Sequence, residues 1–142
     1  MDILQEVLMI SNSIIALRKE FHKYPELGME EYRTSKRIKE ELDKIGVSYK
    51  ESINTEVVAT IGKGNGRVIA LRADMDALKI QENTGIRYAS ENPGIMHACG
   101  HDAHMAALLG AAAILKKYED KIPGQIDLIF QPSEENCKGA KL

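Results

Sequence analysis

The densest group of metal-type side chains in the sequence lies in residues 97–104. His97, His101 and His104 fall within this segment, beside Cys99. Thiolate and imidazole are the side chains that hold zinc-like ions in proteins. The alternative is that these polar residues only cap and solvate the start of a helix, but their clustering favours a metal site.

A pair of carboxylates, Glu134 and Glu135, follows the apolar run of residues 126–130. Adjacent residues of an extended chain point in opposite directions, so one glutamate can bind a metal ion while the other faces the substrate. Metal-assisted hydrolysis requires this division, because a base must take a proton from the attacking water. The alternative is that both glutamates are solvated, as paired surface glutamates usually are.

A second acidic pair, Asp74 and Asp76, follows the apolar run of residues 68–71. Their spacing of two places both side chains on the same side of an extended segment. They could face a metal site, or they could form salt bridges with Arg72. Asp102, next to His101, could orient a ligand histidine by accepting its hydrogen bond.

Three helices are predicted from apolar spacing and capping residues. A stripe from Ile3 to Phe21, with Asp2 as its cap, predicts the first helix. The second covers residues 30–45, with Tyr32, Ile38, Leu42 and Ile45 facing inward and Gly46 as its C-terminal cap. The third covers residues 102–118, and its Gly110 and Ala111–Ala113 would let it lie close against a sheet.

Four strands are predicted at residues 47–52, 57–61, 68–71 and 126–130, the first of them weak and at an edge. The glycine-rich residues 62–66 are interpreted as a hairpin turn, since no phosphate-loop Gly-Lys-Ser/Thr follows. The nearly continuous apolar run 126–130 indicates a central strand, covered on both faces, at which the sheet would end. The fold class is therefore α/β, a mixed sheet flanked by helices.

The elements predict where the chemistry collects. In open α/β sheets, ligands bind outside the carboxyl ends of the strands. Both acidic pairs follow strands, and the Cys/His segment precedes a helix. We therefore expect all three groups to meet at one edge of the sheet.

At these residues the sequence resembles the M20-type metallopeptidases and amidohydrolases that cleave N-acyl amino acids. Hippurate hydrolase, the plant auxin-conjugate hydrolases and N-acetyldiaminopimelate deacetylase belong to this group. The resemblance is carried by residues 17–22 with 25–28, 71–78, 96–104 and 130–135. It implies a zinc-aminopeptidase-like catalytic domain, of which residues 1–142 would form the N-terminal part, without the dimerisation domain.

The resemblance also implies roles for single residues. Cys99 would be a bridging thiolate ligand, and His101 and Glu135 would be further metal ligands. Glu134 would be the general base, and Asp76 would support the site from beside the ligands. The cofactors would be divalent metal ions, two per full-length site, with zinc or manganese expected. The reaction would be hydrolysis of the amide bond of an N-acyl amino acid.

Charge and hydropathy exclude two classes of binding partner, nucleic acids and membranes. The 19 basic and 21 acidic side chains give a net charge of −2, which provides no basic surface for nucleic acid or membrane. No apolar run is long enough for a membrane span, and the acidic N-terminus is unlike a secretory signal. We therefore expect a cytoplasmic protein with reduced cysteines and a small-molecule substrate.

Relatives of this type continue far beyond the length of this chain, so we expect a truncated chain that is weakly active or inactive alone and prone to self-association. Two alternatives stay open. Cys99 could be the nucleophile of a cysteine-dependent amidase, since a helix start lowers a thiol pKa. The chain could also be an inactive remnant that binds metal.

Overall fold

The computed structural model describes residues 2–50 and 54–141. The helices are α1 (Ile3–Lys23), α2 (Tyr32–Ile45) and α3 (His101–Lys117), and the strands are β1 (Tyr49–Lys50), β2 (Val57–Ile61), β3 (Val68–Asp74) and β4 (Gln125–Gln131). Two short 3-10 helices span Glu119–Lys121 and Gly139–Lys141. The mixed α/β class is confirmed. Part of the predicted strand 47–52 lies outside the described residues.

Helix ends follow the predicted capping residues. The Asp2 carboxylate accepts the backbone N–H groups of Leu4 at 3.1 Å and Gln5 at 3.3 Å, which satisfies donors that the first turn cannot pair. At the end of α2, Gly46 adopts the left-handed conformation with φ 70°. The inward position predicted for Tyr32 is wrong, because its side chain is 70% exposed at the start of α2.

The four strands form one sheet in the order β1-β2-β4-β3. β4 pairs antiparallel with β2 and parallel with β3. The predicted β2–β3 hairpin is therefore wrong, because β4 lies between the two strands. The glycines serve a close backbone crossing instead: a Cβ on Gly64 would lie 2.2 Å from the carbonyl oxygen of Pro123, just before β4.

The central position of β4 is confirmed, but the predicted end of the sheet there is wrong. The exposed edge belongs to β3, where Val68 and Ile69 are 60% and 57% exposed. Only one face of β4 is well buried, since Leu128 and Phe130 lie in the core while Asp127 and Ile129 are half-buried. The prediction of two covered faces is therefore also wrong within the described residues.

The helices pack over the buried face of the sheet, where Leu128 and Phe130 join core residues of all three helices. Gly110 of α3 faces another helix and not the sheet. A Cβ on Gly110 would lie 3.2 Å from the side chain of Ile14, so its small size brings α3 close to α1. Among the described residues, no helix has the length and apolar character needed to span a membrane.

Candidate metal centre

The three groups of candidate ligands meet at one edge of the sheet. Asp74 ends β3 and pairs in register with Gln131 at the end of β4, because these strands are parallel. His101 begins α3 and lies 3.6 Å from the Asp74 carboxylate through its Nε2. The expected convergence at the carboxyl ends of the strands is thus present.

Cys99, His101 and Glu135 offer ligand atoms that all lie within 4.8 Å of one another. The donors are a sulfur, an imidazole nitrogen and a carboxylate oxygen, the ligand types of zinc and related ions. The Oε1 atom of Glu135 is buried and has no hydrogen-bond partner among the described residues. A buried, unpaired carboxylate oxygen is costly, and a cation would satisfy it. The residues therefore fit a divalent ion.

His101 is held in an orientation that suits a ligand. Its Nδ1 lies 2.8 Å from the backbone oxygen of Asp76 and 3.4 Å from the Asp76 carboxylate. A proton on Nδ1 would be donated there, which leaves Nε2 free to face the site. Burial disfavours the charged ring, yet the hydrogen bond with Asp76 and the charge of Asp74 raise the pKa of His101 to about 9.

Asp76 contacts two of the candidate residues at once. It is 1% exposed, and its Oδ2 also accepts the backbone N–H of Glu135 at 3.0 Å. Burial opposes its ionised form, but the hydrogen bonds from His101 and from the Glu135 backbone hold the Asp76 pKa below its usual value. Asp76 therefore contacts both His101 and Glu135 from beside the candidate ligand group.

The orienting role predicted for Asp102 is not seen at His101. Asp102 is fully buried but turns away, and its Oδ2 lies 2.8 Å from both the Nδ1 of His22 and the Nε of Arg18. The Nε2 of His22 lies 3.2 Å from Glu82, so this imidazole bridges two buried carboxylates. No role for His22 was predicted from the sequence. The available signal was its spacing of four from Arg18, which places both side chains on one face of α1.

Glu134 and Glu135 do not point in opposite directions as predicted. One carboxylate oxygen of each lies 3.8 Å from the Nε2 of His101. The alternation rule holds for extended chain, but these residues form a turn after Ser133, which has φ 56°. Both carboxylates therefore face the candidate ion position.

The other two histidines of the segment differ in their surroundings. The Nδ1 of His104 lies 2.7 Å from the Asp74 carboxylate, which accepts a hydrogen bond from it. His104, Asp74 and His101 form a second group of possible ligands. Asp74 also lies 3.4 Å from Arg72, so the ion pair that the sequence allowed is present beside its place in this group of possible ligands. His97 is buried, belongs to neither group, and has a pKa lowered to about 4 by that burial.

Cys99 is exposed and forms no disulfide, and several carboxylates lie around it. A hydrogen bond with Glu135, followed by burial and the charges of Glu135, Glu134 and Asp74, raises the pKa of the Cys99 thiol. A nucleophilic cysteine needs the opposite shift, toward the thiolate. A cation among these carboxylates would reverse the effect.

Comparison with known proteins identifies the family of this chain. The model of peptidase family M20/M25/M40 matches residues 70–142. The chain is 51% identical over 129 residues to IAA-amino acid hydrolase ILR1-like 5 of Arabidopsis thaliana, which covers 90% of this chain and 30% of that protein. It is 50% identical to N-acetyl-L-cysteine deacetylase of Bacillus subtilis, over 92% of this chain and 32% of that protein.

Among solved structures, a Bacillus subtilis protein described as a dinuclear metal-binding peptidase of the M20 family superposes with a TM-score of 0.89. It is 41% identical, and the match covers 92% of this chain and 37% of that one. The chain thus spans about a third of the length of the relatives that it matches.

Proposed function

The chain belongs to peptidase family M20/M25/M40, and from this membership we propose that it forms the N-terminal part of the catalytic domain of a metal-dependent amidohydrolase. The observation that carries the proposal is the group of Cys99, His101 and Glu135, whose ligand atoms lie within 4.8 Å of one another. The buried, unpaired oxygen of Glu135 supports it.

Cys99, His101 and Glu135 would hold the ion or ions. A bound divalent ion would polarise the amide carbonyl and lower the pKa of water. Asp76 keeps the His101 ring in place through the contacts at Nδ1, and it fixes the backbone of Glu135. Both contacts reduce the freedom of the ligands, which favours ion binding.

Glu134 is the proposed general base. Its carboxylate is 39% exposed, so water and substrate can reach it, and it lies on the same side of His101 as the ligand Glu135. It would take a proton from the attacking water as the new C–O bond forms, and would then deliver that proton to the amine that leaves as the amide C–N bond breaks.

N-acyl amino acids are the proposed substrates. Two relatives support this class of substrate, since one is named an IAA-amino acid hydrolase and the other an N-acetyl-L-cysteine deacetylase. Two metal ions, zinc or manganese, are the proposed cofactors of a full-length site. The description of the Bacillus subtilis structure as dinuclear supports the number of ions.

The cysteine-nucleophile alternative has weaker support. The acidic groups around Cys99 raise its pKa, and this alternative leaves Glu134 and Glu135 without a chemical role. A chelator would abolish turnover by the metal-dependent enzyme and would spare a cysteine nucleophile. The inactive-remnant alternative predicts that metal binds but that no N-acyl amino acid is cleaved.

Metal binding by the 142-residue chain is the direct test. Zinc or manganese titrated into the purified protein, followed by calorimetry, should bind the unmodified chain, and Cys99→Ala should lose most of that binding. Cys137→Ala is the matched control, because this second exposed cysteine belongs to no ligand group among the described residues. Equal metal binding by the two variants would contradict the assignment of Cys99.

The base assignment needs a separate variant. In a chain with the full length of the relatives, Glu134→Gln should retain metal but lose about a hundredfold or more in turnover, because the general base is missing. Glu135→Gln should instead lose metal. If Glu134→Gln lost metal and Glu135→Gln kept it, the two roles would be exchanged.

A further inference from the structure

A buried glutamate outside the metal centre holds the loop that carries Glu134 and Glu135. Glu31, the residue before α2, is 0% exposed. Its Oε1 accepts the backbone N–H of Ser133 at 2.8 Å, and its Oε2 accepts the hydroxyl of Thr55 at 2.7 Å. Both carboxylate oxygens are therefore satisfied, and one of them is bonded directly to the start of the loop.

The loop needs such support because its backbone is unusual. Ser133 has φ 56°, a left-handed conformation that non-glycine residues adopt at a cost. Two buried carboxylates hold amide groups on either side of the bend: Glu31 holds Ser133, and Asp76 holds the N–H of Glu135 at 3.0 Å. Hydrogen bonds to ionised carboxylates are about twice as strong as neutral ones.

The segment that contains Glu31 also packs closely against the loop that carries Glu134 and Glu135. A Cβ on Gly28 would lie 2.7 Å from the hydroxyl of Ser133 and 3.0 Å from its Cα. The same segment pairs with the other acidic loop, since Leu27 forms a β-bridge with Ala77, next to Asp76. One short segment thus contacts both loops that carry the acidic residues of the metal centre.

We propose that Glu31 is a positioning residue for the metal centre, which fixes the Ser133 turn and so aims the carboxylates of Glu134 and Glu135 at the ion position. This inference rests on the proposed function of those two glutamates. Glu31 itself lies in the core and does not reach substrate. A purely structural carboxylate would stabilise the whole domain, whereas a positioning carboxylate controls the loop specifically.

Hydrogen exchange of backbone amides, followed by mass spectrometry on the metal-free chain, separates these two roles. In Glu31→Leu, which removes the acceptor at similar size, exchange at residues 133–135 should rise tenfold or more relative to the core strand β4, on the order expected for one unpaired buried donor. Thr55→Val is the matched control. It removes the hydrogen bond to the other oxygen and should leave the ratio of loop to strand exchange unchanged.

Glu31→Gln keeps an acceptor for Ser133 and should restore most of the protection. If Glu31→Leu does not fold, the comparison is made with Glu31→Gln, whose weaker neutral hydrogen bond should still raise loop exchange a few-fold relative to β4. If hydrogen exchange changes equally at residues 133–135 and in β4, in whichever variant is measured, the positioning role is overturned.

Metal affinity provides the second measurement. By zinc calorimetry, Glu31→Leu should bind about tenfold or more weakly than Thr55→Val, within the range typical of residues that orient metal ligands. If the unmodified chain binds no zinc, the proposed function fails. The exchange measurement still tests whether Glu31 fixes the loop of residues 133–135. If the unmodified chain binds zinc and Glu31→Leu binds it equally well, the positioning inference fails and the proposed function stands.

Discussion

Replacement of Asp76 by alanine should weaken metal binding although Asp76 is not one of the three proposed ligands. The side chain is almost fully buried and contacts two of those ligands, through the backbone N–H of Glu135 at 3.0 Å and the Nδ1 of His101 at 3.4 Å. Asp76→Ala would leave the Glu135 amide without its acceptor and would remove the carboxylate contact at the Nδ1 of His101, where the 2.8 Å contact with the backbone oxygen of residue 76 would remain.

The magnitude follows from these contacts. An unpaired buried amide costs about 1–3 kcal/mol, and each 1.4 kcal/mol corresponds to a factor of ten in affinity. Loss of groups that orient metal ligands typically weakens metal binding by about 10–100-fold. We therefore expect Asp76→Ala to raise the zinc dissociation constant of the chain by about 10–100-fold, measured by competition with a chromophoric chelator.

Asp127→Ala provides the control for this measurement. Asp127 is a half-buried carboxylate in the middle of β4, and it accepts the Thr60 hydroxyl at 2.9 Å on the less buried face of the sheet. The Asp127→Ala substitution should reduce the free energy of unfolding without a change in zinc affinity. An Asp76→Ala protein that is folded and binds zinc as tightly as the Asp127→Ala protein would refute the support role of Asp76.

Three further predictions concern stability and association. Gly28→Ala should lower the free energy of unfolding in urea by about 1–3 kcal/mol, because the new methyl group would overlap Ser133; an unchanged midpoint would contradict the close approach. His22→Ala should lower it by about 3 kcal/mol, because Asp102 and Glu82 lose a shared buried partner; a loss below about 0.5 kcal/mol would argue against that network. Ile69→Lys should reduce self-association in sedimentation velocity, since a charge blocks the exposed β3 edge; unchanged association would move the contact elsewhere.

Local features of the fold were predictable from the sequence because local chemistry determines them. The Asp2 carboxylate caps α1 by accepting backbone amides two and three residues later, and Gly46 readily adopts the left-handed conformation that ends α2. Strand order is different, because it depends on which distant segments pair. Nothing within residues 62–66 indicates that β4, more than fifty residues later, separates β2 from β3.

The candidate site shows the same division. The types and clustering of Cys99 and His101 indicated metal chemistry, because thiolate and imidazole are the side chains that hold zinc-like ions. The directions of Glu134 and Glu135 could not be read from an alternation rule, since the left-handed Ser133 converts extended chain into a turn. The hydrogen bond between the Ser133 amide and Glu31 could not be predicted from the local sequence, because the two residues are 102 positions apart in the chain.

The number of ligands leads to the last prediction, which concerns activity. Among the described residues, the group around Cys99 provides three ligands, whereas two ions need about four positions each, one of them for water. His104 and Asp74 could supply further donors, but ligands misplaced by about 1 Å can cost a hundredfold in rate. We therefore expect the 142-residue chain to bind metal yet to have little amidase activity by itself. Zinc or manganese and an N-acyl amino acid, supplied to the purified chain, provide the assay, and turnover by a monomer close to that of a full-length relative would contradict the prediction.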